Sequence, residues 1–248
     1  MTRLRSCKAR PGETGGRGCG FARWRGALPM SVLLMLAMPG GAQAMSDPWE
    51  AMNRRMHGFN ALAQAHLLSP LAAMWREKVP EGWRQRIGRA VGNLGEPVTA
   101  ASGLVAGEFG IAQRALTRFA INTTLGLGGV RDEAAGMGWP RRGFGPGDAA
   151  CAWGVPSGPY LVLPLLGPST LRDATAGVIA NAALAQGVGM APVAAWQGGE
   201  SFLAYEGAES ALRRVQEESL DPYAVMRSAW GQRRAARCAV DRAGLDAE

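Results

Sequence analysis

The chain has 248 residues, 47% hydrophobic and 19% charged, too apolar and too weakly charged for a disordered chain. Its 35 glycines follow no three-residue period, which excludes collagen, and four cysteines are too few for a disulfide scaffold. The net charge of +7 suggests nucleic-acid binding only until it is split: seven bases face one acid before Met45, and twenty face nineteen after it. The body of the chain lacks the clustered cations that displace phosphate counterions, so that function is set aside.

The basic N-terminal stretch is followed by Ala27 to Met38, 12 uncharged and mostly apolar residues. A bilayer span needs about 20. Ala42-Gln43-Ala44 supplies an A-x-A cleavage signal, and the three parts together read as a secretory signal peptide, residues 1–44, cut before Met45. The other reading is a buried N-terminal helix. A lipoprotein carries a cysteine directly after the apolar run. Here Cys7 and Cys19 precede it and Met45 follows the cut, so the chain reads as exported without lipidation. Cys151 and Cys238 remain. An oxidising compartment permits a bond between them, but 87 positions of separation do not establish proximity, and two buried thiols are the alternative.

Asp47-Pro48-Trp49-Glu50 opens the first element, with an N-cap acid, a proline at the first helical position and a glutamate three residues after the cap. Trp49, Met52, Met56, Phe59 and Leu62 follow at helical spacing. Residues 80–91, 108–124 and 200–218 also read as helices, and Asp221-Pro222-Tyr223 starts another, with Tyr223, Met226 and Trp230 on one stripe. Strand-like alternation is confined to Tyr160 to Leu163. The class is mainly α: one domain, residues 45–234, followed by a tail, 235–248, that has lost its apolar period and frays.

Between Gly143 and Gly199 the only charges are Asp148, Arg172 and Asp173, where an even spread would place about 11. Ala90 to Gly107 has only Glu96. Prolines and glycines interrupt both windows, so neither is a transmembrane helix. Two explanations remain: a buried core of small residues, or a surface that lies in lipid without crossing it.

Catalytic signals are weak. His57 and His66 are nine positions apart, on opposite faces of a helix, with no cysteine or acid at ligand spacing, so no metal site is expected. There is no G-x-S-x-G elbow and no Walker A motif, and Gly126-Leu127-Gly128-Gly129 has Arg131 where a dinucleotide loop needs its third glycine. No cofactor is expected. Arg118 and Arg172 are candidate contacts for a lipid phosphate, since a guanidinium suits a phosphodiester, although the adjacent Asp173 favours a structural ion pair for Arg172.

A series of short motifs runs through the mature chain, beginning with Asp47-Pro48-Trp49-Glu50-Ala51-Met52-Asn53-Arg54, Phe59-Asn60, Val79-Pro80 and Asn93-Leu94-Gly95-Glu96-Pro97. Thr117-Arg118-Phe119, Asn122-Thr123, Gly126-Leu127-Gly128-Gly129 and Asp132 come next. Trp153-Gly154-Val155, Gly158-Pro159-Tyr160, Pro164, Gly167 and Leu171-Arg172-Asp173 follow, then Ser219-Leu220-Asp221-Pro222-Tyr223 and Gln232-Arg233-Arg234. Each is weak alone, but the ordered set is specific: it resembles the MlaA (VacJ) family, which maintains lipid asymmetry in the Gram-negative outer membrane.

The resemblance implies a single-domain, doughnut-like multi-helix ring with little β-structure, seated monotopically in the inner leaflet of the outer membrane around a central amphipathic channel. It implies a non-enzymatic function: phospholipid misplaced in the outer leaflet passes through the ring to a periplasmic carrier of the Mla pathway, with a trimeric outer-membrane porin as partner. By carry-over, Phe59, Asn60, Gly158, Pro159 and Tyr160 belong to the lipid path, with the bracing of helix junctions as the alternative role. A soluble periplasmic lipid-binding carrier is the competing function, prompted by the missing lipid-anchor cysteine. A second departure is local: Pro146-Gly147-Asp148 stands where the family carries a Phe-Gly turn, and Phe144-Gly145 is displaced.

Overall fold

A computed structural model describes residues 45–245; the leader read at residues 1–44 lies outside the described residues. The helices in order are α1 (Glu50–Ala63), α2 (Ser69–Lys78), α3 (Glu81–Leu94), α4 (Glu96–Ala106), α5 (Phe109–Thr124), α6 (Glu133–Gly136) and α7 (Pro146–Ala152). A hairpin of β1 (Tyr160–Leu163) and β2 (Gly167–Thr170) follows, and then α8 (Leu171–Val188), α9 (Met190–Glu218) and α10 (Pro222–Leu245). The mainly α expectation holds.

Asp47 does not cap α1. The helix starts at Glu50 behind a turn, and Asp47 points inward, where it accepts hydrogen bonds from Asn53, Tyr223 and Arg227. Asp221 does cap: its Oδ1 accepts from the Ala224 amide at 3.1 Å, with Pro222 opening α10. Between α1 and α2 lies a π-helical stretch, Gln64–Leu68, in which the Ser69 amide reaches back to Gln64 O. Pro70 explains it: proline lacks the amide that would continue the regular ladder, and the wider turn before it relieves the clash of its ring.

α4 and α5 form the most extensive helix pair. Their facing residues are small, so the backbones approach closely; a Cβ on Gly103 would sit 3.0 Å from the Ala112 amide nitrogen. From there the contacts close a circuit: α3 on α4, α4 on α7, α7 on α8, α8 on α9, and α9 back on α3. α10 packs on α7, α9 and β2.

The hairpin pairs Tyr160 with Thr170 and Leu163 with Gly167. Its edge is covered by two asparagines seven apart on α1 rather than by a third strand. Asn53 Nδ2 donates to Tyr160 O and Asn53 Oδ1 accepts from the Val162 amide, both at 2.9 Å. One step along, Asn60 Nδ2 donates to Leu163 O and its Oδ1 accepts from the Leu165 amide. Two side chains thus satisfy the edge groups that an unpaired strand leaves open.

Beyond Arg234, α10 continues to Leu245, and a Cys151–Cys238 disulfide with a Cα–Cα separation of 5.9 Å ties it to α7. The apolar period fades there because the bond and an arginine cluster, rather than a greasy stripe, hold the helix. The charge-poor windows are not simply a core of small residues, because Trp153, Ile179 and Met190 are each about 70% exposed. The displaced Phe144 is buried with Ala106, Ile111, Ala149 and Ala152, and α7 begins directly behind it.

An amphipathic cavity between buried polar clamps

The first clamp gathers three of the sequence motifs. Arg118 on α5 is buried; its Nε donates to Glu96 at 2.9 Å, Nη1 to Trp139 O at 2.5 Å and Nη2 to Asp132 at 3.2 Å. Asn122, one turn on, donates to Asp132 and accepts from the Ala134 amide. Burial alone would disfavour the charges. The hydrogen bonds and ion pairs outweigh it, holding the Asp132 carboxyl below its ordinary range and pushing the Arg118 guanidinium higher. Gly129 closes the clamp at φ +92°, and a Cβ there would fall 2.5 Å from the Asn93 Cβ.

The second clamp joins the two Asp-Pro motifs to Tyr160. Burial would raise the Asp47 carboxyl, but hydrogen bonds from Tyr223, Asn53 and Arg227 hold it below its usual value. Burial, with the charge of Asp47 behind it, pushes the Tyr160 phenol up to about 12, so it stays neutral. Arg54 bridges Glu50 and Asp221 across the surface of this junction.

The third cluster collects all three charges of the 57-residue charge-poor window. Asp173 accepts from Arg172 Nε at 2.9 Å and from Arg234 Nε at 2.6 Å, while Arg234 also reaches Asp148. Asp148 in turn accepts from the Gly145 amide and starts α7. Burial would raise the Asp173 carboxyl; Arg234 and Arg172 outweigh it and hold it low.

Around this cluster lies a cavity of about 440 Å³. Charged and polar groups reach it from every side: Arg141, Asp148, Asp173, Asn181, Gln197, Glu200 and Arg237. Hydrocarbon shares the wall, through Phe144, Leu163, Leu166, Val178 and Trp196. A second cavity of about 380 Å³ shares Asp148, Asp173 and Arg237 with it. A third, of about 300 Å³, shares Arg141 and lies against the Glu96–Arg118 pair. The three are contiguous.

The residues singled out in the sequence fall beside this space. Phe59 is half exposed on α1, Asn60 pins the hairpin tip, and Tyr160 is in the core with Val162 and Tyr223. Gly158 turns at φ +68°, where a Cβ would stand 3.3 Å from Leu171, and Pro159 O accepts from the Leu171 amide. None of these five lines the three cavities; Asn60 bonds the hairpin whose Leu163 and Leu166 do. Arg172 donates from Nη1 to Val155 O and from Nε to Asp173, while its Nη2 is buried without a hydrogen-bond partner. Arg118 touches the third cavity, but every nitrogen of its guanidinium is already donating within the protein. Sequence reasoning missed Trp196, Gln197, Glu200 and Arg237. For Asp148 and Asp173 a signal existed: a charge retained inside a charge-free window faces either a partner or water.

The outer surface is unusual as well. At the α4–α5 turn, Leu104, Val105 and Phe109 are more than half exposed, and the Trp153 indole joins them by donating to Val105 O at 2.8 Å. Large exposed apolar patches mark contact with protein or membrane. Among the described residues no helix is long and apolar enough to cross a membrane.

Fold and site together define a mainly α-helical protein built around an amphipathic cavity, with hydrocarbon displayed outside. The chain belongs to the MlaA family, whose model, described as MlaA lipoprotein, matches residues 45–237. It is similar to the intermembrane phospholipid transport system lipoprotein MlaA of Escherichia coli (strain K12), 33% identical over 221 residues that cover 84% of each chain. The protein of the same description from Haemophilus influenzae is 32% identical over 200 residues, 75% of this chain and 77% of that one. A solved structure concerned with the structural basis for maintenance of bacterial outer membrane lipid asymmetry is 30% identical. It matches with a TM-score of 0.63 over 78% of this chain and 99% of its own.

Proposed function

We propose that this protein is a non-enzymatic phospholipid channel seated in the periplasmic leaflet of the outer membrane. It removes phospholipid misplaced in the outer leaflet and hands it to a periplasmic carrier. The carrying observation is the 440 Å³ cavity, whose mixed lining offers charge and amide groups to a head group and leucine, valine and tryptophan to an acyl chain. The closed circuit of helix contacts is the frame of a ring around it. The exposed Leu104, Val105, Phe109 and Trp153 give that ring a surface to place in hydrocarbon, with the Trp153 indole at the headgroup boundary. In this reading Phe59, Asn60, Gly158, Pro159 and Tyr160 serve the lipid path by fixing the hairpin at the cavity wall. A trimeric porin as neighbour, and retrograde direction, follow from the family resemblance. Seating rests on buried apolar surface.

Deleting the gene tests the reading. Surface phospholipid should rise, measured by its accessibility to an externally added phospholipase, and the cells should become sensitive to detergent. Unchanged surface phospholipid overturns it. Membrane fractionation separates it from the soluble carrier: a seated channel needs detergent for release, whereas a carrier leaves with the periplasmic extract. The exposed apolar patch favours the former.

A further inference from the structure

Along α10, Trp230, Arg233, Arg234 and Arg237 recur at i, i+3, i+4 and i+7, one face of a helix, and all four line the 380 Å³ cavity. They differ in what holds them. Arg234 is committed to Asp148 and Asp173, and Asp173 takes Arg172 as well, so both carboxylates in this cavity are already neutralised by other arginines. Arg233 and Arg237 have no carboxylate partner among the described residues. Two guanidiniums one turn apart, neither with a carboxylate partner among the described residues, repel each other mildly. They face a cavity whose acids are spent, and Arg237 also borders the larger cavity. The disulfide at Cys238, directly after Arg237, ties this turn to α7, so the pair is held in place rather than left on a loose tail. Trp230 supplies an apolar wall at the other end of the same face.

We infer that Arg233 and Arg237 form a binding site for the phosphate of an anionic phospholipid head group, where the two cavities meet. This deepens the channel reading and rests on it. A zwitterionic head group brings its own cation into the cavity and gains little from two arginines. A head group with net negative charge gains two guanidinium contacts that break no ion pair among the described residues. The site therefore gives the passage a preference for anionic lipid.

The test uses the purified mature protein in non-ionic detergent. Affinities are measured for dioctanoyl phosphatidylglycerol, dioctanoyl phosphatidylcholine and inorganic phosphate. The native protein should bind the glycerol lipid about tenfold more tightly than the choline lipid, about one 1.4 kcal/mol step. Inorganic phosphate should bind more weakly than the glycerol lipid. In R233Q/R237Q the preference should vanish while choline-lipid affinity stays unchanged, which also reports an intact fold. R233K/R237K should keep most of the preference, and R214Q, on α9 and outside the cavity walls, should keep all of it. Equal affinity for both lipids in the native protein, or an undiminished preference in R233Q/R237Q, overturns the site and leaves the channel standing. Failure of either lipid to bind overturns both. Inorganic phosphate binding as tightly as the glycerol lipid overturns the lipid as the ligand.

Discussion

Between Leu94 and Val130 the chain has four charged residues, and three of them, Glu96, Glu108 and Arg118, are buried while Leu104, Val105, Phe109 and Leu127 are exposed. At the junction of α1, the hairpin and α10 the arrangement is the ordinary one. Tyr160, Val162 and Tyr223 are inside, and Glu50, Arg54 and Asp221 are at the surface. The first region turns charge inward and hydrocarbon outward; the second keeps most of its charge at the surface over an aromatic core, with Asp47 buried among its partners and Met52 and Phe59 half exposed on α1. A protein wholly in water has no reason to adopt the first arrangement, and one wholly in lipid has none to adopt the second. The contrast suits a molecule at a boundary, and under the proposed function it would set α4 and α5 toward lipid and the Asp47–Tyr223 junction toward water.

The comparison breaks most visibly at its inverted end. Arg118→Met leaves Glu96, 2% exposed, without its principal partner, and should cost about 3–5 kcal/mol in denaturant unfolding. Adding Glu96→Gln should recover much of that loss, because an unpaired buried charge is worse than no pair. A single variant with native stability would mean the pair is not buried as described. The disulfide comes next. Cys238→Ser opens an 87-residue loop and should cost about 2–4 kcal/mol, with native protein losing a similar amount under reductant and the variant losing none. Asn53→Ala strips partners from Tyr160 O and the Val162 amide together and should cost about 2 kcal/mol; Asn60→Ala, nearer the hairpin tip, about 1.

The helix starts at Glu81, Phe109 and Pro222 were legible because each follows a proline, acid or change of period, and β1 was legible from Tyr160 to Leu163 alone. α4 and α8 were not, because their faces do not differ in polarity: Ala, Gly and Val lie on the packed side and on the exposed side alike, so no period marks them. The motif residues were visible as a set, but their work was not. Asn53 and Asn60 sit seven apart in a helical pattern and bond a strand more than 100 residues away, which no local spacing encodes. None of the carried-over lipid-path residues lines the cavities, whereas Trp196, inside the charge-poor window but not singled out there, and Glu200, just beyond it, do.

Acid should act on all three clusters. Asp47, Asp132 and Asp173 are each held below the ordinary carboxylate value of about 3.9. A carboxyl lowered on folding stabilises fully above its unfolded value, and the contribution is lost as pH falls through the lower, folded value. Melting temperature should therefore be flat down to about pH 5 and drop by at least about 2–4 °C toward pH 3. Asp173→Asn should lower the plateau and flatten that drop; an identical slope in the variant removes Asp173 from the account.

The substitution that disturbs stability least discriminates best between orientations. Val105→Asp/Phe109→Asp places two charges on side chains already 65% and 67% exposed, so nothing packed is lost and unfolding free energy should move by no more than about 0.5 kcal/mol per site. In lipid the same surface counts heavily, since each large apolar side chain contributes about 1.5–3 kcal/mol when withdrawn from water. Binding to phospholipid vesicles should fall about 100-fold or more. The matched control is Arg54→Gln at the opposite junction, which breaks an exposed ion pair and should leave vesicle binding unchanged. If the aspartate pair still floats with vesicles as the native protein does, the exposed hydrocarbon at the α4–α5 turn is not the seat. The inversion of charge between the two regions would then need a protein partner, and not a membrane, to cover it.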